Sequence, residues 1–448
     1  MGMLRPYGRN SFCADTTMSH VTVIGAGITG VTTAYALRNA GFDVTVLERH
    51  RYPAMETSFA NGGQLSASNA EVWNSTSTLL KGLRWMLRSD APLLFNPRPS
   101  WHKYTWMAEF IGQMRNHRAN TVETTRLAIT ARDHLFRIAR DEAIDFDLER
   151  RGILHLYHDK MSFDGACRGN QLLSEGGLER YAVTPDEMRS IEPALGDAKY
   201  YGGFFTPSDS TGDIHKFTRG LAEACIRKGV RFVHDTEVMA ISRHGATFTL
   251  QCDSRSGNTM ASPPSSGSTM ETDAIVVCAG VASRRLAAML GDRINIYPVK
   301  GYSISVYLDN DASRQAAPMV SLLDESAKIV TSRLGQDRFR VAGTAEFNGE
   351  NRDIRADRIR PLVDWTQRLF PGVDTCKVVP WAGLRPMTPS MMPRVGAGRN
   401  PGVFYNTGHG HLGWTLSCAT AELVCAAVQA EQSARSSVHS PATPALSR

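Results

Sequence analysis

The sequence predicts an α/β chain in which a Rossmann-type dinucleotide-binding domain is interleaved with a second domain built on an antiparallel sheet. Three observations predict it. Residues 20–49, HVTVIGAGITGVTTAYALRNAGFDVTVLER, read as strand, glycine turn, helix, strand and acid. Ala274 to Gly280, AIVVCAG, is a second buried strand ending in small residues. Gly301–Tyr307, Lys328–Ser332 and Arg338–Thr344 each alternate apolar with polar residues, which predicts antiparallel strands with one wet face. A chain of 448 residues has room for two such domains.

The opening unit begins with the strand-forming Val21, Val23 and Ile24, followed by Gly25, Ala26, Gly27, Ile28, Thr29 and Gly30. The glycines have G-x-G-x-x-G spacing. The first permits a sharp turn, the second lets backbone approach a pyrophosphate, and the third lets the helix pack close to its strand. Gly30, Ala34, Leu37 and Gly41 fall near one helical face, and Gly41 ends the helix. Asp43 to Leu47 is the next strand. Glu48 closes it, where a carboxylate can accept hydrogen bonds from ribose hydroxyls and repels a 2′-phosphate, favouring FAD or NAD over NADP.

Composition is that of a soluble globular protein, and the net charge of +6 is spread out, with no basic block to suggest nucleic acid. The eight cysteines form no C-x-x-C pair. That spacing predicts neither a zinc site nor a disulfide framework, and it fits a reducing, cytoplasmic compartment. No apolar run is long enough to span a bilayer. Residues 1–18 lack the apolar stretch of a secretory signal and are expected to be a disordered extension.

Beyond Arg49 a polar loop holds Ser58, Asn61 and Gln64, whose hydroxyl and amides could wrap a diphosphate or a ring edge. Residues 79–115 are rich in Leu, Trp, Tyr and Met interrupted by Lys and Arg. They read either as a helix pair packed on the core or as an interfacial surface that touches a membrane. An amphipathic helix is predicted over 122–144, with Leu127, Ala131, Leu135 and Ile138 on one side. Strands come next at 152–158 and 201–206, around a capping site at Thr184-Pro185-Asp186-Glu187. A helix over 214–229 leads to strands at 230–233 and 237–241, the latter carrying Val238. The strand at 247–252 pairs with the segment beyond a low-complexity insert, 254–272, which reads as a mobile hairpin tip. A helix is expected over 357–370, and another beyond Thr415 with Leu416, Ala419, Leu423 and Ala426 inward. From Glu431 a Ser/Ala/Pro tail is expected to be disordered.

Two dense motifs close the chain: WAGLRPMTP at 381–389 and NTGHGHLGWT at 406–415. Together with ETSFANGGQ at 56–64 and YPVKGYS at 297–303, they make the chain, from about Met18 to about Ala430, resemble the FAD-dependent amine oxidoreductases that include D-amino acid, glycine and sarcosine oxidases. The combination of motifs resembles the D-amino acid dehydrogenase branch more than the oxidases. His411 departs from it, standing where a small polar residue is common.

The resemblance implies a glutathione-reductase/D-amino acid oxidase-like fold. The FAD-binding domain would comprise 19–75, 210–296 and 381–430, and the substrate domain 76–209 and 297–380. It also implies non-covalent FAD held by Val21, Ile24, Gly25, Ala26, Gly27, Ile28, Thr29 and Gly30, by Glu48 and Arg49, by Ser58, Asn61 and Gln64, and by Val238, Gly280 and Gly383. The loop Gly408, His409, Gly410, Leu412, Gly413, Trp414 and Thr415 opens a helix whose N-terminus would stabilise negative charge on the reduced ring. Arg385 would grip the substrate carboxylate through two parallel hydrogen bonds, and Tyr302 would add a hydroxyl. The activity implied is oxidative deamination of D-amino acids to 2-oxo acids and ammonia. Electrons would pass to a quinone or other acceptor, with a peripheral contact at the inner membrane face. A secondary-amine oxidase or D-proline-type dehydrogenase, and a non-catalytic flavin-binding subunit, are the alternatives.

Overall fold

A computed structural model describes residues 20–76, 78, 93–254 and 268–438. The expected extension at 1–18, part of the 79–115 segment, most of the low-complexity insert and the last residues of the tail lie outside the described residues.

The opening unit folds as its pattern predicts. The strand His20–Ile24 is buried from Val21 onward, the helix spans Ile28–Asn39, and the strand Asp43–Leu47 lies parallel to the first with Val21 opposite Val44. Around this pair a six-stranded sheet assembles in the order Arg394–Ala397, Val403–Thr407, Ala274–Val277, His20–Ile24, Asp43–Leu47, Arg231–Val233. Every neighbour pair is parallel except the edge strand Arg394–Ala397. Four-residue runs such as Ala274–Val277 are buried throughout because both faces of a parallel sheet are covered. A three-stranded antiparallel sheet, Thr236–His244, Thr247–Ser254 and Ser268–Thr272, packs beside it. The insert is thus shorter than expected, since 268–272 pair as a strand with 248–252.

The second large sheet has nine strands. In order along its path it runs Val378–Met387, Tyr297–Tyr307, Arg338–Phe347, Ile329–Leu334, Ser321–Asp324, Ile153–Tyr157, Gly202–Thr206 and Tyr181–Val183, with Leu93–Phe95 paired to Arg338–Phe347. The strand Val378–Met387 belongs here, so the domain boundary expected at 381 falls inside a strand. The chain returns to the first sheet only at Arg394.

One face of this sheet was expected to be wet. Instead Ser303, Ser332 and Arg340 are buried. The loop 57–64 covers them: Ser303 Oγ donates to Ala60 O at 2.7 Å, Ser332 Oγ to Gly62 O at 2.6 Å, and Arg340 Nη1 to Asn61 O at 3.0 Å. Alternation in the sequence marks two faces; it cannot say that the polar one is roofed by another part of the chain.

The last helix, Gly413–Val438, runs beyond Glu431 and packs against the first helix and against His117–Asp141. Leu416, Ala419, Ala421, Val424, Cys425 and Val428 are buried, whereas Leu423 is 53% exposed and Ala426 is exposed. The inward face therefore differs from the expected one. Both neighbours bury the first turns all round, which leaves no single stripe from which to extrapolate.

Candidate active site

A cavity of about 1080 Å³ runs from the glycine turn of the opening unit to the C-terminal loop. Its walls come from Ile24, Gly25, Gly27, Ile28 and Thr29, from the 55–75 loop, from Arg180 and the strand Ile153–Tyr157, from the 278–286 segment, from the large sheet and from 407–415. It exceeds the ~300–1000 Å³ of a pocket for one drug-sized ligand, as an extended dinucleotide with a substrate requires.

At the glycine end, a Cβ on Gly30 would lie 1.8 Å from Gly25 O, and one on Gly25 would lie 2.8 Å from Cys278 O with φ at +106°. No side chain fits there without opening the backbone. The first helix has Gly27 as N-cap, with no side-chain cap and no acid in its first turn, so its positive end is offered to the cavity. Ile28 N donates to Ser58 Oγ at 3.1 Å. Glu48 is buried; its Oε2 accepts from Ala26 N at 2.6 Å and its Oε1 from His50 N at 2.9 Å, which fixes the carboxylate at the cavity edge.

Of the expected cofactor residues, Ile24, Gly25, Gly27, Ile28, Thr29, Glu48, Arg49, Ser58, Asn61, Gln64, Val238, Gly280 and Gly383 all line this cavity. Val21, Ala26 and Gly30 do not. Val21 is wholly buried in the sheet, Ala26 holds Glu48 through its backbone, and Gly30 sits behind Gly25. Arg49 is ion-paired with Glu56, which also meets His50 and Arg352 and is held down to about 2 despite burial. Both ends of the Gln64 amide are used inside the protein, Nε2 donating to Ser321 Oγ at 2.8 Å and Oε1 accepting from Asn69 Nδ2 at 2.9 Å.

The other end is built where the large sheet meets the C-terminal loop. Gly410 N donates to Pro386 O at 3.0 Å, and His409 bridges to Met387, so the loop is stitched to the strand that carries Arg385. Gly408, His409, Gly410, Leu412, Gly413, Trp414 and Thr415 all line the cavity, and the helix they open has no acid in its first turn.

Arg385 lies deep in the protein but keeps part of its surface open to the cavity. Burial draws it down to about 10, still protonated near neutrality. Its Nη1 donates to Thr344 O at 3.1 Å, and it has no carboxylate partner among the described residues. The guanidinium lies flat across Gly301, where a Cβ would come within 2.4 Å of Nη2.

Tyr302 does not join it. Val299 pairs with Arg385 and Tyr302 with Ala382, so the alternation of the strand puts Tyr302 on the opposite sheet face. Its hydroxyl donates to Glu346 Oε2 at 2.6 Å, and Lys300 Nζ is 3.3 Å from the same carboxylate. Only its backbone can face the substrate side. A hydroxyl in a sequence motif does not say which face of the sheet it takes, and one residue of register decides it.

Both loop histidines are neutral. His409 is pushed down to about 3 by burial and sits 3.0 Å from Thr420 Oγ1, so it belongs to the helix. His411 is pushed down to about 4 by burial, with the Arg385 charge adding to the effect. Its Nε2–H donates to Asn69 O at 3.2 Å, and its ring stacks on Trp73 with centroids 4.8 Å apart.

A further group was not foreseen from the sequence. The turn Ala67–Asn69 is clamped by Asp209, which accepts from Ala67 N at 2.9 Å and Ser68 N at 3.0 Å. His155 Nε2 lies 3.1 Å from Ser68 Oγ and its Nδ1 lies 3.2 Å from Glu325. Burial keeps it neutral, down to about 4. Arg180 and Tyr157 stand beside it on the cavity wall. The available signal was a histidine inside the wholly buried run Ile153–Tyr157, where a polar side chain needs partners.

Comparison with known proteins gives a consistent picture. The model for the family "FAD dependent oxidoreductase" matches residues 20–427. "D-amino acid dehydrogenase 3" of Mesorhizobium japonicum is 63% identical over 411 residues, covering 92% of this chain and 97% of the relative. A "D-amino acid dehydrogenase" of Paramagnetospirillum magneticum is 41% identical over 424 residues, covering 92% and 96%. Among solved structures, glycine oxidase from Geobacillus kaustophilus has a TM-score of 0.70 at 20% identity, covering 92% of this chain and 95% of that one. L-proline dehydrogenase from P. horikoshii has a TM-score of 0.69 at 16% identity, covering 91% and 92%. At these identities the structures speak for the fold.

Proposed function

Because the chain belongs to the FAD dependent oxidoreductase family, we infer that it is a D-amino acid dehydrogenase, oxidatively deaminating D-amino acids to 2-oxo acids and ammonia. The observation that carries this is the 63% identity to a D-amino acid dehydrogenase across nearly the whole of both chains.

The residues fit FAD. The cradle at Gly25 and Gly30 that a Cβ would fill, the uncapped helix at Gly27 and the buried Glu48 suit an adenosine diphosphate. Ser58, beside Gly27 and Ile28, would join them at the diphosphate, and Asn61, Gly280 and the loop Gly408–Thr415 would hold the ring half of the molecule. Bound FAD supplies a two-electron acceptor for the Cα–H bond of the substrate.

The protein supplies position and field. Arg385 would take the substrate α-carboxylate with the donors that no protein carboxylate occupies, and so fix the Cα–H. Tyr302 has no part in that contact; Glu346 holds its hydroxyl. His155 and His409 are held neutral and hydrogen-bonded, and His411, its Nε2 spent on Asn69 O and its Nδ1 buried without a partner, is held neutral down to about 4. Imidazoles this weakly basic suit a reaction in which the amine enters uncharged. Water then hydrolyses the imine to the 2-oxo acid and ammonia.

We further propose that a quinone or similar acceptor, rather than oxygen, reoxidises the enzyme at the inner face of a membrane. The helix Trp101–Gly112 supports this: Trp101 is 83% exposed, and Tyr104 and Ile111 are exposed beside it. Among the described residues no helix is long and apolar enough to cross a membrane, so the contact would be peripheral.

The test is anaerobic bleaching of the bound flavin by a panel of D- and L-amino acids, glycine and sarcosine. Bleaching by D-isomers supports the assignment; bleaching by L-isomers or sarcosine alone refutes it. Reoxidation by a quinone analogue but not by air supports the acceptor, and co-sedimentation with anionic vesicles that is lost in Trp101→Ser supports the surface.

A further inference from the structure

Thr344 stands in a backbone conformation that threonine rarely takes. Its φ is +59°, in the left-handed region. Among the described non-glycine residues with positive φ, it alone is β-branched and it alone lies inside a strand. The cause is a β-bulge. Tyr302 pairs with Gly343 and Lys300 with Glu346, so Thr344 and Ala345 together stand opposite Gly301. Thr344 Oγ1 is buried without a partner, so no bond of its hydroxyl offsets the strain.

The bulge meets Arg385 on the cavity wall, which Thr344, Gly301 and Arg385 all line. Among the described residues Thr344 pairs with none on the neighbouring strands, so its carbonyl is free of the ladder. The Arg385 guanidinium lies across Gly301, opposite the bulge, and donates from Nη1 to Thr344 O at 3.1 Å. Among the described residues this is the one hydrogen bond that the guanidinium makes to the protein.

We propose that Thr344 is a positioning residue: its strained backbone aims the carbonyl that sets the tilt of the Arg385 guanidinium and leaves the remaining donors for a substrate carboxylate. The proposal rests on the role given to Arg385 above. Glycine would take the same φ without strain, but it would also let the peptide turn. A buried β-branched side chain, stiff at χ1, holds it.

The test compares Thr344→Gly and Thr344→Val with the wild-type holoenzyme. In Thr344→Gly the melting temperature should be no lower than in wild type, because strain is relieved. Its kcat/KM for D-alanine should nevertheless fall at least about 10-fold, as a charge-assisted contact loses its aim. Butyrate, which offers a carboxylate without an amine, should inhibit D-alanine oxidation correspondingly less. Thr344→Val keeps the branched Cβ and loses only the hydroxyl, so it should stay within about threefold on both counts. A Thr344→Gly chain that fails to fold, or that loses activity and stability together with butyrate inhibition unchanged, would make Thr344 a structural residue and overturn the proposal. So would a Thr344→Gly enzyme within about threefold of wild type, or a Thr344→Val enzyme as impaired as Thr344→Gly. Butyrate inhibition that is unchanged in Arg385→Met, or a wild type inert to every D-amino acid, would overturn the reading of Arg385 or of the activity, and the proposal with it.

Discussion

Replacing Gly301 by alanine tests the placement of Arg385 without removing it. The added Cβ would stand 2.4 Å from Nη2, 2.5 Å from Cζ and 2.6 Å from Nη1 of Arg385. Ordinary contact begins near 3.4 Å, so the guanidinium must lift by about 1 Å. It can, because it is the end of a flexible side chain, and the cost to the fold is about 1 kcal/mol, roughly its bond to Thr344 O. A misplacement of about 1 Å in a substrate-orienting group costs on the order of 100-fold in rate. We expect kcat/KM for D-alanine, measured with an artificial electron acceptor, to fall about 100-fold, with flavin content unchanged. In an Arg385→Met background the same change should add almost nothing, since the group it displaces is gone. A Gly301→Ala enzyme within about threefold of wild type, or equal losses in both backgrounds, would refute the placement.

Three other outcomes are expected. Tyr302→Phe should leave kcat/KM for D-alanine within about threefold yet lower stability by about 1–3 kcal/mol in denaturant unfolding, because it strips a partner from buried Glu346. Gly30→Ala, whose Cβ would lie 1.8 Å from a backbone oxygen, should be purified without flavin or not at all, read by the ratio of flavin to protein absorbance. The neutral histidines predict acid sensitivity: unfolded, each takes a proton near pH 6.5, whereas in the fold His155 and His411 resist to about pH 4 and His409 to about 3. The unfolded chain then binds more protons, so stability falls as pH drops below 6.5, by on the order of 1–3 kcal/mol per histidine by pH 4.5. His409→Gln should make the thermal midpoint less steep in pH over that window; an unchanged slope would contradict it.

The sequence by itself determined the local units. A strand, three spaced glycines, a helix and an acid lie within 30 residues, and each needs only its neighbours to be read. Its motifs also carried the family, because their backbone requirements are written in glycine and proline. What it left open was whatever depends on residues far apart in the chain. Tyr302 looked like a partner of Arg385, but pairing with a strand some 80 residues on put the two on opposite faces. The polar face of the large sheet looked wet because the loop that roofs it comes from residues 57–64. His155 and the Ser68–Asn69 turn have no common motif; they meet only because the strand Ile153–Tyr157 is laid beside a loop some 87 residues earlier. Covalent neighbours fix φ, ψ and periodicity, whereas the direction of a side chain into a shared cavity depends on register and packing, which are settled only when the sheets close.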